Sequence, residues 1–163
     1  MKNKVKFSIY SKIITVLVLI LFVAGVIALL DNTRELPLFC IIMGGATITG
    51  LYFCPISIEA DQSEIKLHRL LSHPKCFAYN DIQSVDMCYP SAGGLRLCGS
   101  GGFFGYWGYF NDIMIGIYLG YYGSRSECIL IRLKNGKQYV LGCENAVAMA
   151  NYIKHQICKP ATN

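Results

Sequence analysis

The sequence predicts an α+β chain: an N-terminal transmembrane helical hairpin, then antiparallel strands capped by one C-terminal amphipathic helix. Three observations carry that expectation. Two uncharged apolar runs, Ile13–Leu30 and Leu36–Cys54, lie near the start. Short alternating apolar and polar segments, separated by turn residues, follow them. Near the end the apolar period changes from two to that of a helix. Composition agrees: 53% of the 163 residues are hydrophobic and only 15% are charged, against roughly 25% charged in ordinary soluble domains. A disordered chain and a multi-domain enzyme are both excluded, leaving membrane sequence plus one small domain.

At about 1.5 Å per residue, each run spans most of a ~30 Å hydrocarbon core. Asp31–Glu35 supplies the polar turn between them, with Pro37 at the expected first helical position. The helices are expected at about 10–30 and 36–54, in an anchor of residues 1–55. The first run exceeds the roughly 7–15 residues of a signal-peptide core, and no Ala-x-Ala site follows, so it reads as an uncleaved anchor. Lys2, Lys4, Lys6 and Lys12 precede it, whereas the turn sets Asp31 and Glu35 against Arg34. The positive-inside rule then puts the N-terminus in the cytoplasm, and two crossings return the chain there. Tyr10, Tyr52 and Phe53 would line the interface. Ala24 and Ala28, Ala46 and Gly50, and Gly45 and Thr49 are four apart, a spacing that lets helix backbones approach closely. Ala24, Ala28, Gly45, Ala46 and Gly50 are therefore candidate helix-packing residues, either between the two helices or, around Gly44–Gly50, between copies. Neither run holds an ionisable residue, which argues against transport.

Residues 56–160 form the second unit. Ile56, Ile58, Ile65 and Leu67 alternate around the turn at 60–63 and predict a hairpin. Phe77 and Tyr79 predict a third strand, and Val85–Cys88 a fourth. Asn135-Gly136 between Cys128–Lys134 and Lys137–Leu141 predicts a hairpin whose two turn residues both take positive φ. Ala146, Met149, Ala150, Ile153 and Ile157 recur at helical spacing, with Asn145 as N-cap and Lys154 and Lys159 at the C-terminal end. Ten Lys/Arg against eight Asp/Glu in residues 56–163 leave no concentrated basic face for nucleic acid.

Residues 89–123 hold ten of the sixteen glycines and ten of the twenty aromatics. Gly99-x-Gly101-x-x-Phe104 lacks the third glycine of a dinucleotide fingerprint, and no helix text follows. The segment reads as a tight loop. Its rings either pack back on the domain or meet a partner or the membrane surface through Phe103, Phe104, Tyr106 and Trp107. None of the eight cysteines forms Cys-x-x-Cys, and His68, His73 and His155 fall in no zinc or hydrolase motif. Reduced structural thiols, no metal and no cofactor are expected.

Arg96–Phe110, Gly116-x-Tyr118, the strand Ile129–Leu133, Asn135-Gly136 and Tyr139-Val-Leu141 resemble the bacterial pleckstrin-homology-like domains of small membrane proteins. The resemblance covers about residues 56–158, and the helix pair fits it. Tyr79–Ile82 looks like the strand-entry segment before that family's glycine-rich loop. Cys143-Glu144-Asn145 departs from a Ser-Pro common before the helix. The resemblance implies an antiparallel β-barrel or bent sheet capped by the C-terminal helix. It also implies a bacterial inner-membrane protein, which fits the cytoplasmic termini expected from the lysine-rich tail, and no catalytic residues. The function expected is a non-catalytic interaction module binding a protein partner or itself. A sensor of anionic head groups is the alternative, with Lys66, Arg69, Lys75, Arg132, Lys134 and Lys137 as the cations. A thiol-dependent enzyme is a second alternative, and no local motif supports it.

Overall fold

The computed structural model describes residues 1–158. Two helices are long and apolar enough to cross a membrane: α1 (Ile9–Ala28) and α2 (Glu35–Phe53). Ser8 caps α1, its Oγ accepting from the Ser11 N–H at 3.2 Å. Asn32 Oδ1 accepts from the N–H groups of Arg34 and Glu35, both at 3.3 Å, at the start of α2. Pro37 is the third helical residue rather than the first, still within the turn whose N–H groups have no helical partner.

The lysine-rich tail does more than precede α1. Lys2–Lys4 forms a strand, β1, antiparallel to β2 (Pro55–Ala60), with Lys2 opposite Glu59. Lys2 Nζ lies 3.3 Å from the Glu59 carboxylate. The two ends of the helix pair are therefore joined by backbone pairing. β3 (Glu64–Arg69) and β4 (Lys75–Ala78) complete a four-stranded sheet in the order β1-β2-β3-β4. The expected third strand stops at Ala78, because Tyr79–Asp81 turns as a 3-10 helix toward the second sheet.

That sheet has six strands: β5 (Ile82–Cys88), β6 (Leu95–Gly102), β7 (Gly105–Asp112), β8 (Gly116–Tyr122), β9 (Cys128–Leu133) and β10 (Gln138–Gly142). Their order is β5-β9-β10-β8-β7-β6, and β8 and β10 run parallel. The expected barrel is thus corrected to two sheets with no closed barrel among the described residues, and one pairing is not antiparallel. The glycine-aromatic segment is corrected from a loop to three strands.

The Asn135-Gly136 hairpin forms, but with a different turn. Leu133 N–H bonds Lys137 O at 2.9 Å and Gly136 N–H bonds Leu133 O at 3.0 Å. Only Gly136 has positive φ, at +80°. This is a three-residue loop with glycine in the left-handed position, rather than a two-residue turn. α3 (Ala146–Cys158) follows Asn145, whose φ is +54° and whose carbonyl accepts from Met149 N–H at 3.1 Å. Lys159 lies outside the described residues.

The main core lies between the two sheets and is closed by α3. Ile58, Ile65 and Leu67 meet Val85, Ile129, Ile131 and Leu141, and Met149 and Ile153 cover them. Each such side chain contributes roughly 1.5–3 kcal/mol relative to exposure. A second, aromatic cluster occupies the opposite face of the six-stranded sheet. There Tyr106 stacks on Tyr122 at 5.0 Å and Phe110 on Tyr118 at 5.6 Å.

Candidate functional site

The glycine-aromatic text folds into the β6–β7 hairpin. Gly99 lies opposite Gly108 with both in the left-handed region, at φ +121° and +117°. A Cβ on Gly99 would fall 2.1 Å from the Trp107 carbonyl oxygen, and one on Gly108 2.1 Å from that of Cys98. Only glycine fits this cross-strand pair. Phe103 and Phe104 make the turn, since Gly102 pairs with Gly105.

Phe104 has φ +53°, which for a bulky residue costs roughly 1–3 kcal/mol. Docking on the helix pair offsets that cost. Phe104 N–H donates to Thr15 Oγ1 at 2.9 Å, and Ser11 Oγ donates to the Gly102 carbonyl at 2.6 Å. Ser11 is buried although its neighbours on α1 are mostly exposed. On α2, a Cβ at Gly50 would fall 2.7 Å from Phe104 Cδ2 and 3.2 Å from Phe103 Cε1. Gly50 is the residue that lets the turn seat. Trp107 extends the contact: its ring stacks on Phe53 at 5.0 Å, and its Nε1 donates to the Phe103 carbonyl at 3.2 Å.

Three of the four expected contact residues, Phe103, Phe104 and Trp107, therefore meet the helix pair of their own chain. Tyr106 belongs to the aromatic cluster and is buried. Sequence reasoning missed Ser11 and Thr15. Their signal is two hydroxyls four residues apart on one helix face, at the mouth of an apolar run.

Of the helix-packing candidates, only Gly50 is buried. Ala24, Ala28, Gly45 and Ala46 are exposed, and a Cβ on Gly45 would meet nothing within 4 Å. The close approach of α1 and α2 runs through Gly25, whose Cβ would overlap the Phe39 ring, with Phe22 and Phe39 6.0 Å apart.

The remaining candidate chemistry is dispersed. Burial pushes Cys88 and Cys143 up to about 12 and raises Cys128 too, which disfavours thiolate chemistry at all three. Among the described residues no group of three or more His, Cys, Asp or Glu side chains converges. The expected cation set is split: Lys66 pairs with Glu64 at 3.3 Å and Arg132 with Asp86 at 2.9 Å, while Lys75 sits 4.5 Å over the Tyr139 ring.

Apolar exposure concentrates elsewhere. Ile113 and Met114, in the β7–β8 turn, are 97% and 88% exposed, and Leu95, Leu97, Tyr109 and Ile117 nearby are also exposed. Asp112 shapes this turn, with its carboxylate accepting from Met114 N–H at 2.9 Å and Ser91 N–H at 2.7 Å. No family model matches the chain, and no curated protein or solved structure matches it significantly.

Proposed function

We propose that this chain is a membrane-anchored, non-catalytic interaction module of the pleckstrin-homology-like kind. It holds a protein-binding surface at the cytoplasmic face of a bacterial inner membrane. One observation carries the binding surface: the exposed apolar turn Ile113–Met114 stands at the far end of β7 from the docked tip. Eight strand residues separate the two ends, roughly 25 Å at the usual rise. Lipid contact accounts for apolar side chains near the helix pair but not for a patch at that distance. Exposed apolar clusters on soluble surfaces mark protein contacts. The anchor reading is supported by the two apolar helices and by the lysines at 2, 4, 6 and 12. Burial of Cys88, Cys128 and Cys143 argues against thiolate chemistry at those three.

The test is a crosslinked pull-down of the full-length protein from native membranes, comparing wild type with Ile113→Ser/Met114→Ser. These side chains are solvent-exposed, so the pair leaves thermal stability within about 0.5 kcal/mol. Loss of a captured protein in the variant is the expected result. Unchanged capture refutes this surface, and capture of the chain itself assigns it to self-association.

A further inference from the structure

We propose that a cleft at the mouth of α1 binds the phosphate of an anionic phospholipid head group. The cleft is about 520 Å³, and Ser8, Gly101, Tyr106, Ser124, Arg125 and Ser126 line it. The chain folds this way because the segment before α1 lies on the 123–126 loop. Ser8 N–H donates to the Gly123 carbonyl at 2.9 Å, and a Cβ on Gly123 would fall 2.6 Å from the Lys6 carbonyl. That contact sets the Arg125 loop beside the first residue of a long apolar helix. A phospholipid beside α1 would have its phosphate at this level.

The chemistry of the lining is one-sided. No carboxylate lines the cleft; Glu127, two residues beyond Arg125, lines a neighbouring one. The Arg125 guanidinium lies 4.9 Å over the Tyr106 ring, and its Nε is buried without a hydrogen-bond partner. A second guanidinium reaches the rim: a Cβ on Gly101 would fall 2.8 Å from Arg96 Nη1. Among the described residues, neither arginine belongs to an ion pair. The Ser124 and Ser126 hydroxyls bond each other at 2.9 Å, which leaves one of that pair and Ser8 with a hydrogen to donate. With two guanidiniums outside any ion pair, whose planar forks suit two oxygens of one phosphate, the lining matches a phosphate oxyanion. Stacking on Tyr106 holds Arg125 in place before the ligand arrives. These are not the cations that the sequence pattern brought forward, which lie on other strands and are partly neutralised.

The site rests on the reading that α1 and α2 span a membrane. Full-length protein in detergent is titrated with phosphatidylglycerol, phosphatidylcholine or inorganic phosphate, and native mass spectrometry reads what is retained. Wild type is expected to hold one phosphatidylglycerol in preference to phosphatidylcholine. Arg125→Gln should weaken retention about ten-fold, as expected for losing a charged hydrogen-bond donor. Arg125→Lys should keep part of it, and Arg96→Gln, at an exposed residue, should lose several-fold without any effect on folding. Equal retention by wild type and Arg96→Gln/Arg125→Gln overturns the proposal, as does indifference between the two lipids. Displacement by inorganic phosphate at matching concentration overturns the lipid assignment in favour of free phosphate. Carbonate extraction of the same membranes separates the two readings. A stripped chain refutes the anchor, whereas an integrated chain with unselective retention refutes the lipid site alone.

Discussion

Thr15→Val tests how the β6–β7 hairpin is held. Valine keeps the shape of threonine and deletes Oγ1, which accepts from Phe104 N–H at 2.9 Å and donates to the Ser11 carbonyl at 2.8 Å. The Ser11 carbonyl keeps its place in the helix, and Gly102 O keeps its 2.6 Å bond from Ser11 Oγ. Phe104 N–H is left without a partner. An unsatisfied buried donor costs roughly 1–3 kcal/mol, and this site is only part-buried, so about 1–2 kcal/mol applies. The left-handed Phe104 adds to the drive, since its strain no longer has that bond against it. About 1–2 kcal/mol raises the open population roughly 5- to 30-fold. Hydrogen exchange of the full-length protein in nanodiscs reads this directly in peptides covering 99–108, because exchange follows local opening. Peptides from β9, β10 and α3 should be unchanged, and Thr15→Ser should restore protection. Wild-type exchange at 99–108 in Thr15→Val would refute the idea that α1 fastens the hairpin.

Two further outcomes follow from individual side chains. Burial raises the Asp112 carboxyl, but hydrogen bonds from Ser91 and the Met114 N–H outweigh it and hold it below the usual value. Its stabilisation is therefore complete above its unfolded value of about 4 and lost as pH falls through the lower folded value. Thermal unfolding of Asp112→Asn from about pH 6 downward should show a shallower acid decline than wild type; a parallel decline contradicts this. With iodoacetamide at neutral pH, exposed Cys98 and Cys158 should label before buried Cys88, Cys128 and Cys143. A buried thiol that labels first would restore the case for thiol chemistry.

Much of the architecture is legible in the sequence where one local signal suffices. Uncharged length marks α1 and α2, the change of period marks α3, and Asn135-Gly136 marks the β9–β10 hairpin. What is illegible depends on partners far along the chain. Lys2–Lys4 has no apolar alternation, and its strand exists because β2 supplies a backbone ladder beyond both helices. The β6–β7 strands look like loop text because Gly99 and Gly108 are chosen for mutual clearance, which leaves no two-residue period. The parallel β8–β10 pair has no turn to announce it. At the site, the aromatic cluster of 103–107 is visible as unusual, yet its destination is not. Gly50, read as a helix-packing residue, receives a hairpin instead. Arg125 lines its cleft beside Gly101, and Arg96 reaches the same glycine, from positions 29 residues apart that no local pattern links.

The junction between helices and sheets leaves little room for a swivel. α2 ends at Phe53 and β2 begins at Pro55. On the other side four residues separate β1 from α1, and one of them, Ser8, is bonded to Gly123. The β6–β7 tip adds a third attachment through Ser11, Thr15 and Gly50. A domain on a long flexible linker samples many orientations and loses that freedom when it binds. Here the cost of orienting Ile113–Met114 is largely met in folding, which leaves less to lose on association. On the anchored reading, the same three attachments fix the height of that turn above the bilayer and set the Arg125 cleft at head-group level. Releasing the tip should therefore weaken partner capture at a surface roughly 25 Å away, while leaving the turn itself intact.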